Sequence, residues 1–145
     1  MIILYGIKNC DSVRKAKKFL ASQGYDYRYH DFREHGIDAE RLGKWLHLVG
    51  PHNLINKRST SWKKLSGRQR ESLAAPGLEQ HGTAQQRAAI KLLLSEPTLV
   101  KRPVIEFANG EVVAGFTNAT MQRLQQDNAT ITAGHDSNSP DLSSR

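Results

Sequence analysis

The chain of 145 residues contains a single cysteine, Cys10, so it cannot form an internal disulfide bond. No run of apolar residues approaches the roughly 18 needed to span a bilayer. The first ten residues carry no basic group ahead of their apolar residues, so we expect no signal peptide. These absences are typical of the reducing cytoplasm, and we predict that location, without membrane contact. The six histidines are scattered singly, without the Cys/His spacing of a metal site, and we predict no metal and no bound cofactor.

Large apolar side chains are also scarce in residues 126–145, which we predict to be a disordered tail after a folded domain of residues 1–125. The net charge of the whole chain is +7. The tail holds three aspartates and one arginine, so the domain carries +9. A basic domain attracts anions such as nucleic acid, oxyanions or a small anionic thiol, although most such excesses only solvate a surface.

The first third of the chain has the pattern of a strand, a helix and a second strand. Residues 2–5 are β-branched and apolar, and residues 11–23 place apolar groups at helical spacing. Residues 25–30 alternate tyrosine with polar side chains, as a half-buried strand does. We therefore predict a βαβ unit with parallel strands.

A helical insert is predicted over residues 38–96. Asp38 and Thr83 have the character of N-caps for two of its helices, and a break at Gly67 divides a third helical region into two short pieces. The insert ends before a strand that begins near Arg102.

The remainder of the domain has the pattern of two strands and a helix. A two-residue turn centred on Asn109-Gly110 is predicted to join the strands, and Thr117 or Asn118 to cap the final helix. The order βαβ, insert, ββα is that of a thioredoxin-like α/β fold with a mixed sheet.

Cys10 lies at the junction of the first strand and helix. We expect it in the first turn of that helix, where unpaired backbone N–H groups and the helix dipole favour the thiolate. Lys8 adds to this effect and Asp11 opposes it. The alternative interpretation is that Cys10 is a small buried apolar residue.

Two basic segments are candidates for the same site. Arg102 precedes Pro103 at the start of a strand, and an X-Pro bond there is a candidate for the cis form, the alternative being an ordinary trans edge-strand proline. The segment "LINKRSTSWKKL" places Arg58 or Lys57 where either could line an anion site, the alternative being a solvated loop with one packed tryptophan.

The stretches "LYGIKNCDSVRKA", "DFREHGID", "LINKRSTSWKKL" and "VKRPVIEF" together resemble the ArsC-related family of thioredoxin-fold proteins. That family includes arsenate reductases of the glutaredoxin-coupled type, Spx transcriptional regulators and YffB-type proteins. The resemblance extends from Met1 to about Leu124 and is most specific for the YffB branch.

The resemblance implies that Cys10 is the reactive cysteine and that Arg102 is the arginine that holds an oxyanion in arsenate reductases. Two further arginines of those reductases have no match, because Asn56 and Gly115 stand near their places. Redox-responsive Spx proteins carry a second cysteine three residues after the first, where this chain has Val13. A two-cysteine switch is therefore excluded, although binding to RNA polymerase without a switch is conceivable.

The YffB branch implies a glutathione-dependent thiol reductase. Glutathione would act as co-substrate, with Lys8, Asn9, Arg58, Arg102 and Pro103 as its binding residues beside the nucleophile. Glutathionylated substrates and glutaredoxin are the expected partners, and no nucleic acid is expected. Arsenate reduction and an Spx-like regulatory role are the alternatives.

Overall fold

The computed structural model describes residues 1–126. Its centre is a sheet with the strand order β2–β1–β3–β4, formed by β1 (Ile2–Gly6), β2 (Tyr27–Asp31), β3 (Val104–Glu106) and β4 (Val112–Ala114). β1 pairs parallel with β2 and antiparallel with β3, and β3 pairs antiparallel with β4. The predicted mixed thioredoxin-like sheet is confirmed.

The helices follow the predicted order, with two short additions. They are α1 (Asp11–Ser22), α2 (Phe32–His35), α3 (Ala39–Val49), α4 (Pro51–Leu54), α5 (Thr60–Lys63), α6 (Gly67–Ala74), α7 (Ala84–Ser95), a 3₁₀ turn (Pro97–Leu99) and α8 (118–126). Asp38 and Thr83 cap α3 and α7, as predicted, by accepting hydrogen bonds from backbone N–H groups. The sequence did not predict α2 or α4.

Of the predicted tail, only Gln126 belongs to the described residues, where it is helical. Within residues 1–126, no helix combines the length and the apolar character needed to cross a bilayer.

The alternating side chains of the strands divide the core between the two faces of the sheet. Leu4 and Ile105 pack with Leu20 of α1 and Leu124 of α8. Their neighbours in sequence face the helical insert, in a larger cluster that includes Tyr5, Val104, Trp45, Leu46 and Leu93. The insert therefore packs against one face of the sheet.

A buried carboxylate joins the insert to the sheet. Glu106 of β3 accepts hydrogen bonds from the Tyr5 hydroxyl (3.0 Å), the Trp45 indole N–H (2.7 Å) and Nη1 of Arg41 (2.7 and 2.8 Å). Burial alone would raise the pKa of Glu106, but these hydrogen bonds and the charge of Arg41 outweigh it and lower that pKa. Burial and the negative charge of Glu106 raise the pKa of Tyr5 to about 12.

Gly6 is required where β1 passes under α1. An ideal Cβ at Gly6 would lie 2.5 Å from Cγ2 of Val13, which is closer than non-bonded carbon atoms approach. The missing side chain thus allows α1 to start directly above the end of β1.

The prediction of a two-residue hairpin turn is wrong. Phe107 and Glu111 are the last pair, joined by a 2.9 Å hydrogen bond, so three residues form the loop. A two-residue turn of the Asn-Gly type needs positive φ at both positions, but only Gly110 has it, at 96°. The turn is instead a three-residue loop with the left-handed residue last.

At the following helix, Thr117 is the cap, since its hydroxyl accepts from the backbone N–H of Thr120.

Candidate active site at the Cys10 loop

Cys10 is the N-cap residue of α1, one position before the first helical turn in which we expected it. Its backbone is extended, with φ −112° and ψ 121°, and its side chain accepts no capping hydrogen bond. The thiol is free and half-buried against the core that faces the insert. Its sulfur is therefore uncommitted at the end of a helix where backbone N–H groups lack helical partners.

Asn9 gives the loop before Cys10 its shape. Its φ of 61° lies in the left-handed region, which asparagine tolerates better than most residues other than glycine. The backbone thus reverses direction between Lys8 and Cys10. Both Lys8 and Asn9 are exposed beside the half-buried thiol.

Asp31, at the end of β2, holds the loop before Cys10 in place through hydrogen bonds. Its Oδ2 accepts hydrogen bonds from the backbone N–H of Lys8 (3.1 Å) and from the hydroxyl of Tyr29 (3.2 Å). Its Oδ1 caps α2 by accepting from the backbone N–H groups of Arg33 and Glu34. The carboxylate is only 2 % exposed. Burial would raise its pKa, but these hydrogen bonds lower it, so Asp31 is held in the charged form.

Tyr29 contacts both Asp31 and Lys17 of α1. Burial first, then the charge and hydrogen bond of Asp31, raise the pKa of Tyr29 to about 12, and Cys10 contributes to the same shift. The ammonium of Lys17 lies 3.6 Å from the centre of the tyrosine ring. The phenol is therefore neutral at physiological pH and serves as a hydrogen-bond donor to Asp31.

Lys8 is engaged with an acidic partner. Its ammonium forms an ion pair with Glu34, whose hydrogen bond and negative charge raise the pKa of Lys8. The side chain is exposed, so part of its charge remains available to an anion in solution.

Arg102 and Pro103 lie at the same end of the sheet as the loop. β1 and β3 are antiparallel with Tyr5 opposite Val104, so continuing this register places Gly6 opposite Pro103. The Arg102-Pro103 peptide bond is cis, as predicted. Nη1 of Arg102 donates to the carbonyls of Thr98 and Val100, at 3.0 Å each, while Nε is buried without a hydrogen-bond partner.

Arg58 belongs to a segment that pairs with the residues just before Arg102. Ile55 forms a β-bridge with Val100, and the backbone N–H of Asn56 donates to Leu99 at 2.7 Å. The side-chain oxygen of Asn56 accepts from the backbone N–H of Arg58, whose own side chain is exposed. Arg58 therefore borders the segment that holds Arg102.

Sequence reasoning missed Asp31 and Tyr29. The only local signal was an aspartate at the end of a strand, in the position of an N-cap for Phe32–His35. Its bond to Lys8 joins residues 23 positions apart and had no local signature. Among residues 1–126, no group of three or more His, Cys, Asp or Glu side chains is arranged to hold a metal ion.

Known proteins share sequence similarity with this chain. An uncharacterised protein from Haemophilus influenzae is 37 % identical over 122 residues, which cover 84 % of this chain and 96 % of that protein. The global transcriptional regulator Spx from Lactiplantibacillus plantarum is 31 % identical over 68 residues, which cover 46 % of this chain and 52 % of Spx.

Solved structures show the same similarity. A protein named YFFB has a TM-score of 0.68 at 31 % identity, covering 85 % of this chain and 97 % of its own. An arsenate reductase (ArsC)-related protein from Brucella melitensis has a TM-score of 0.59 at 34 % identity, covering 84 % and 92 %. The ArsC family model matches residues 5–124. The chain that carries the Cys10 loop therefore belongs to the ArsC family.

Proposed function

We propose that the protein is a glutathione-dependent thiol reductase of the reducing cytoplasm, with Cys10 as its nucleophile. The observation that carries this proposal is the state of Cys10, a free thiol at the start of α1 whose sulfur accepts no capping hydrogen bond. Backbone N–H groups at this end of α1 have no helical partners and are able to donate to a sulfur anion during the exchange. The loop that presents it is fixed by Asp31 through Lys8.

The chemistry needs one protein thiol, the glutathionyl group of the substrate and one free molecule of glutathione. The Cys10 thiolate attacks the glutathione sulfur of a substrate disulfide, the substrate S–S bond breaks, and the substrate leaves as a thiol after taking a proton. Cys10 is then bonded to glutathione. A second glutathione thiolate attacks the glutathione sulfur of this mixed disulfide, which releases the Cys10 thiolate and oxidised glutathione. The net reaction converts one mixed disulfide and one glutathione into one thiol and oxidised glutathione.

The surroundings of Cys10 suit an anionic tripeptide. Lys8 and Arg58 are exposed cations, and Arg102 and Pro103 lie at the end of the sheet where the loop begins. Asn9 adds an amide side chain next to the thiol. We assign these residues to binding the carboxylates and the backbone of glutathione.

Arsenate reduction is a second candidate, because a solved relative is named as arsenate reductase-related. Two positions argue against it. Asn56 uses its side-chain oxygen within its own turn, and Gly115 has no side chain, so neither supplies a cation for an oxyanion. Glutaredoxin would be the partner in that reaction, and RNA polymerase would be the partner under an Spx-like role.

The proposal is tested by two measurements on the reduced full chain. After exposure to oxidised glutathione, intact-mass analysis should show one glutathionyl group on Cys10. With glutathione and hydroxyethyl disulfide, the protein should then turn over catalytically, while Cys10→Ser should show only the rate of glutathione alone. A mixed disulfide without turnover would overturn the enzymatic proposal.

A further inference from the structure

Acidic residues are missing from a long stretch beside the candidate site. Between Glu40 and Glu71 the chain has eight lysines and arginines and no aspartate or glutamate. Arg41 is paired with Glu106. Within residues 1–126, none of the other seven cations forms an ion pair. Their charge is therefore not neutralised by the folded domain.

Part of this charge is concentrated around Trp62 of α5. Nζ of Lys57 and Cζ of Arg70 each lie 5.6 Å from the centre of its ring, within the range of cation–π attraction. Nη2 of Arg70 also donates to the carbonyl of Lys63 at 3.0 Å. We name Lys57, Trp62, Lys63 and Arg70 the basic patch. These contacts hold Arg70 of α6 and Lys57 of the loop before α5 against the ring of Trp62.

The basic patch adjoins the candidate site through Thr98. The hydroxyl of Ser61, next to Trp62, is hydrogen-bonded to the hydroxyl of Thr98. The carbonyl of the same Thr98 accepts from Arg102. Hydrogen bonds through Thr98 thus connect the segment of Trp62 to Arg102, which lies at the end of the sheet that carries the Cys10 loop.

The chemistry of this surface favours an acidic polypeptide over a nucleic acid. The ring of Trp62 is half-buried and already in contact with Lys57 and Arg70, whereas nucleic-acid binding surfaces of this kind use aromatic rings to stack bases. A substrate for Cys10 must also carry a sulfur atom, which a protein cysteine supplies.

We propose that the basic patch binds an acidic segment of a protein substrate and so directs a glutathionylated cysteine of that protein to Cys10. This inference rests on the proposed reductase function and adds a substrate class to it. The reaction at Cys10 is the one described above, with the acidic protein as the leaving thiol. The basic patch raises the rate at which the acidic substrate associates and the affinity with which it binds. It takes no part in the exchange of sulfur bonds.

Two synthetic peptides of equal length, each with one glutathionylated cysteine, provide the test. One carries four glutamates near the cysteine, and the other carries glutamines in their place. With glutathione as reductant, we expect kcat/KM for the acidic peptide to exceed that for the neutral one by at least about fivefold at low salt. Raising the ionic strength from about 0.02 M to about 0.3 M should remove most of this difference, because salt screens exposed charges.

A matched pair of variants locates the effect. Lys57→Glu/Lys63→Glu changes two exposed lysines of the basic patch, and Lys44→Glu/Lys91→Glu makes the same change of charge on α3 and α7. The patch variant should lose the preference for the acidic peptide and keep its rate with hydroxyethyl disulfide. The control variant should keep both. Equal rates for the two peptides in the unaltered protein, or equal loss in both variants, would overturn the inference.

Failure of the inference and failure of the proposed function give different results. If the protein does not turn over hydroxyethyl disulfide, the reductase proposal fails. The basic patch is then tested by itself, through fluorescence anisotropy of the labelled acidic peptide with the Cys10→Ser protein. Binding that is lost in the patch variant supports the surface, and absence of binding overturns it. A labelled single-stranded oligonucleotide of the same charge that binds more tightly than the peptide would overturn the choice of an acidic polypeptide.

Discussion

The carboxylate of Asp31 accepts a hydrogen bond from the backbone N–H of Lys8, two residues before Cys10. The end of β2 thereby determines where the loop after β1 presents its thiol. Because the same carboxylate also caps α2, the position of the loop depends on one buried side chain.

Asp31→Ala should therefore lower both stability and thiol reactivity. The substitution leaves the backbone N–H groups of Lys8, Arg33 and Glu34 without their acceptor, at a cost of about 2–4 kcal/mol in the free energy of unfolding. Urea denaturation measures the cost, and iodoacetamide labelling of Cys10 measures the reactivity. Asp26→Ala, at an exposed position of the preceding turn, is the control and should change neither. An unchanged midpoint in Asp31→Ala would show that the loop is held by other contacts.

Stability should fall in acid because of Glu106. Its pKa is lower in the folded chain than its ordinary value of 4.5, so the unfolded chain binds the proton more readily. The stabilisation is complete above about pH 5 and is lost as the pH falls through the folded-state pKa.

Glu106→Gln tests this origin. The variant should be less stable at neutral pH by about 1–3 kcal/mol, since Arg41 and Trp45 lose a charged acceptor. Its stability should also change less than that of the unaltered protein between about pH 6 and about pH 3. Chemical denaturation across this range measures both effects, and parallel curves for the two proteins would contradict the prediction.

Arg102→Ala should slow the reaction of Cys10 with oxidised glutathione at neutral pH. A cation at this end of the sheet attracts the carboxylates of glutathione, and its removal weakens that attraction. The rates of the variant and the unaltered protein should converge at high ionic strength, because salt screens exposed charges.

Arg87→Ala is the matched control for Arg102→Ala, because Arg87 also donates from Nη1 to a backbone carbonyl but lies at the start of α7. It should react at the unaltered rate. A slower rate for Arg102→Ala that persists at high ionic strength would indicate altered access to Cys10 in place of altered charge.

Arsenate should be a poor substrate even when glutathione and glutaredoxin are supplied. Each missing charge-assisted hydrogen bond at Asn56 and Gly115 removes about 1.5–3 kcal/mol of oxyanion binding. A coupled assay of glutathione oxidation measures turnover, with a glutaredoxin-coupled arsenate reductase as the positive control. Turnover comparable to that control would identify arsenate reduction as the function.

Features encoded by neighbouring residues were predictable from the sequence. The caps Asp38 and Thr83, the βαβ unit and the position of Cys10 between β1 and α1 each depend on a few adjacent side chains. The four-residue helices α2 and α4 were missed because they are too short to show a helical periodicity. The hairpin was predicted one residue too short because Asn-Gly fits more than one turn, and pairing of Phe107 with Glu111 decides between them.

The positions of Cys10, Arg102 and Pro103 in the fold were predictable, but the contacts of their side chains were not. The cis bond before Pro103 follows from its place in the order of elements. The pairing of Lys8 with Glu34, and the bonding of Arg102 to carbonyls of its own segment, depend on how loops meet in space. Asp31 was missed for the same reason, since its main partner is remote in the chain.

Val13 occupies the place where a second thiol would close a switch within one chain, and its side chain is committed to the space above Gly6. Under the proposed mechanism, a Cys10 that has taken up glutathione has no internal route back to the thiol. The lifetime of the glutathionylated protein is then set by the concentration of free thiol in solution. The glutathionylated fraction of the protein therefore reports how much reductant its surroundings hold.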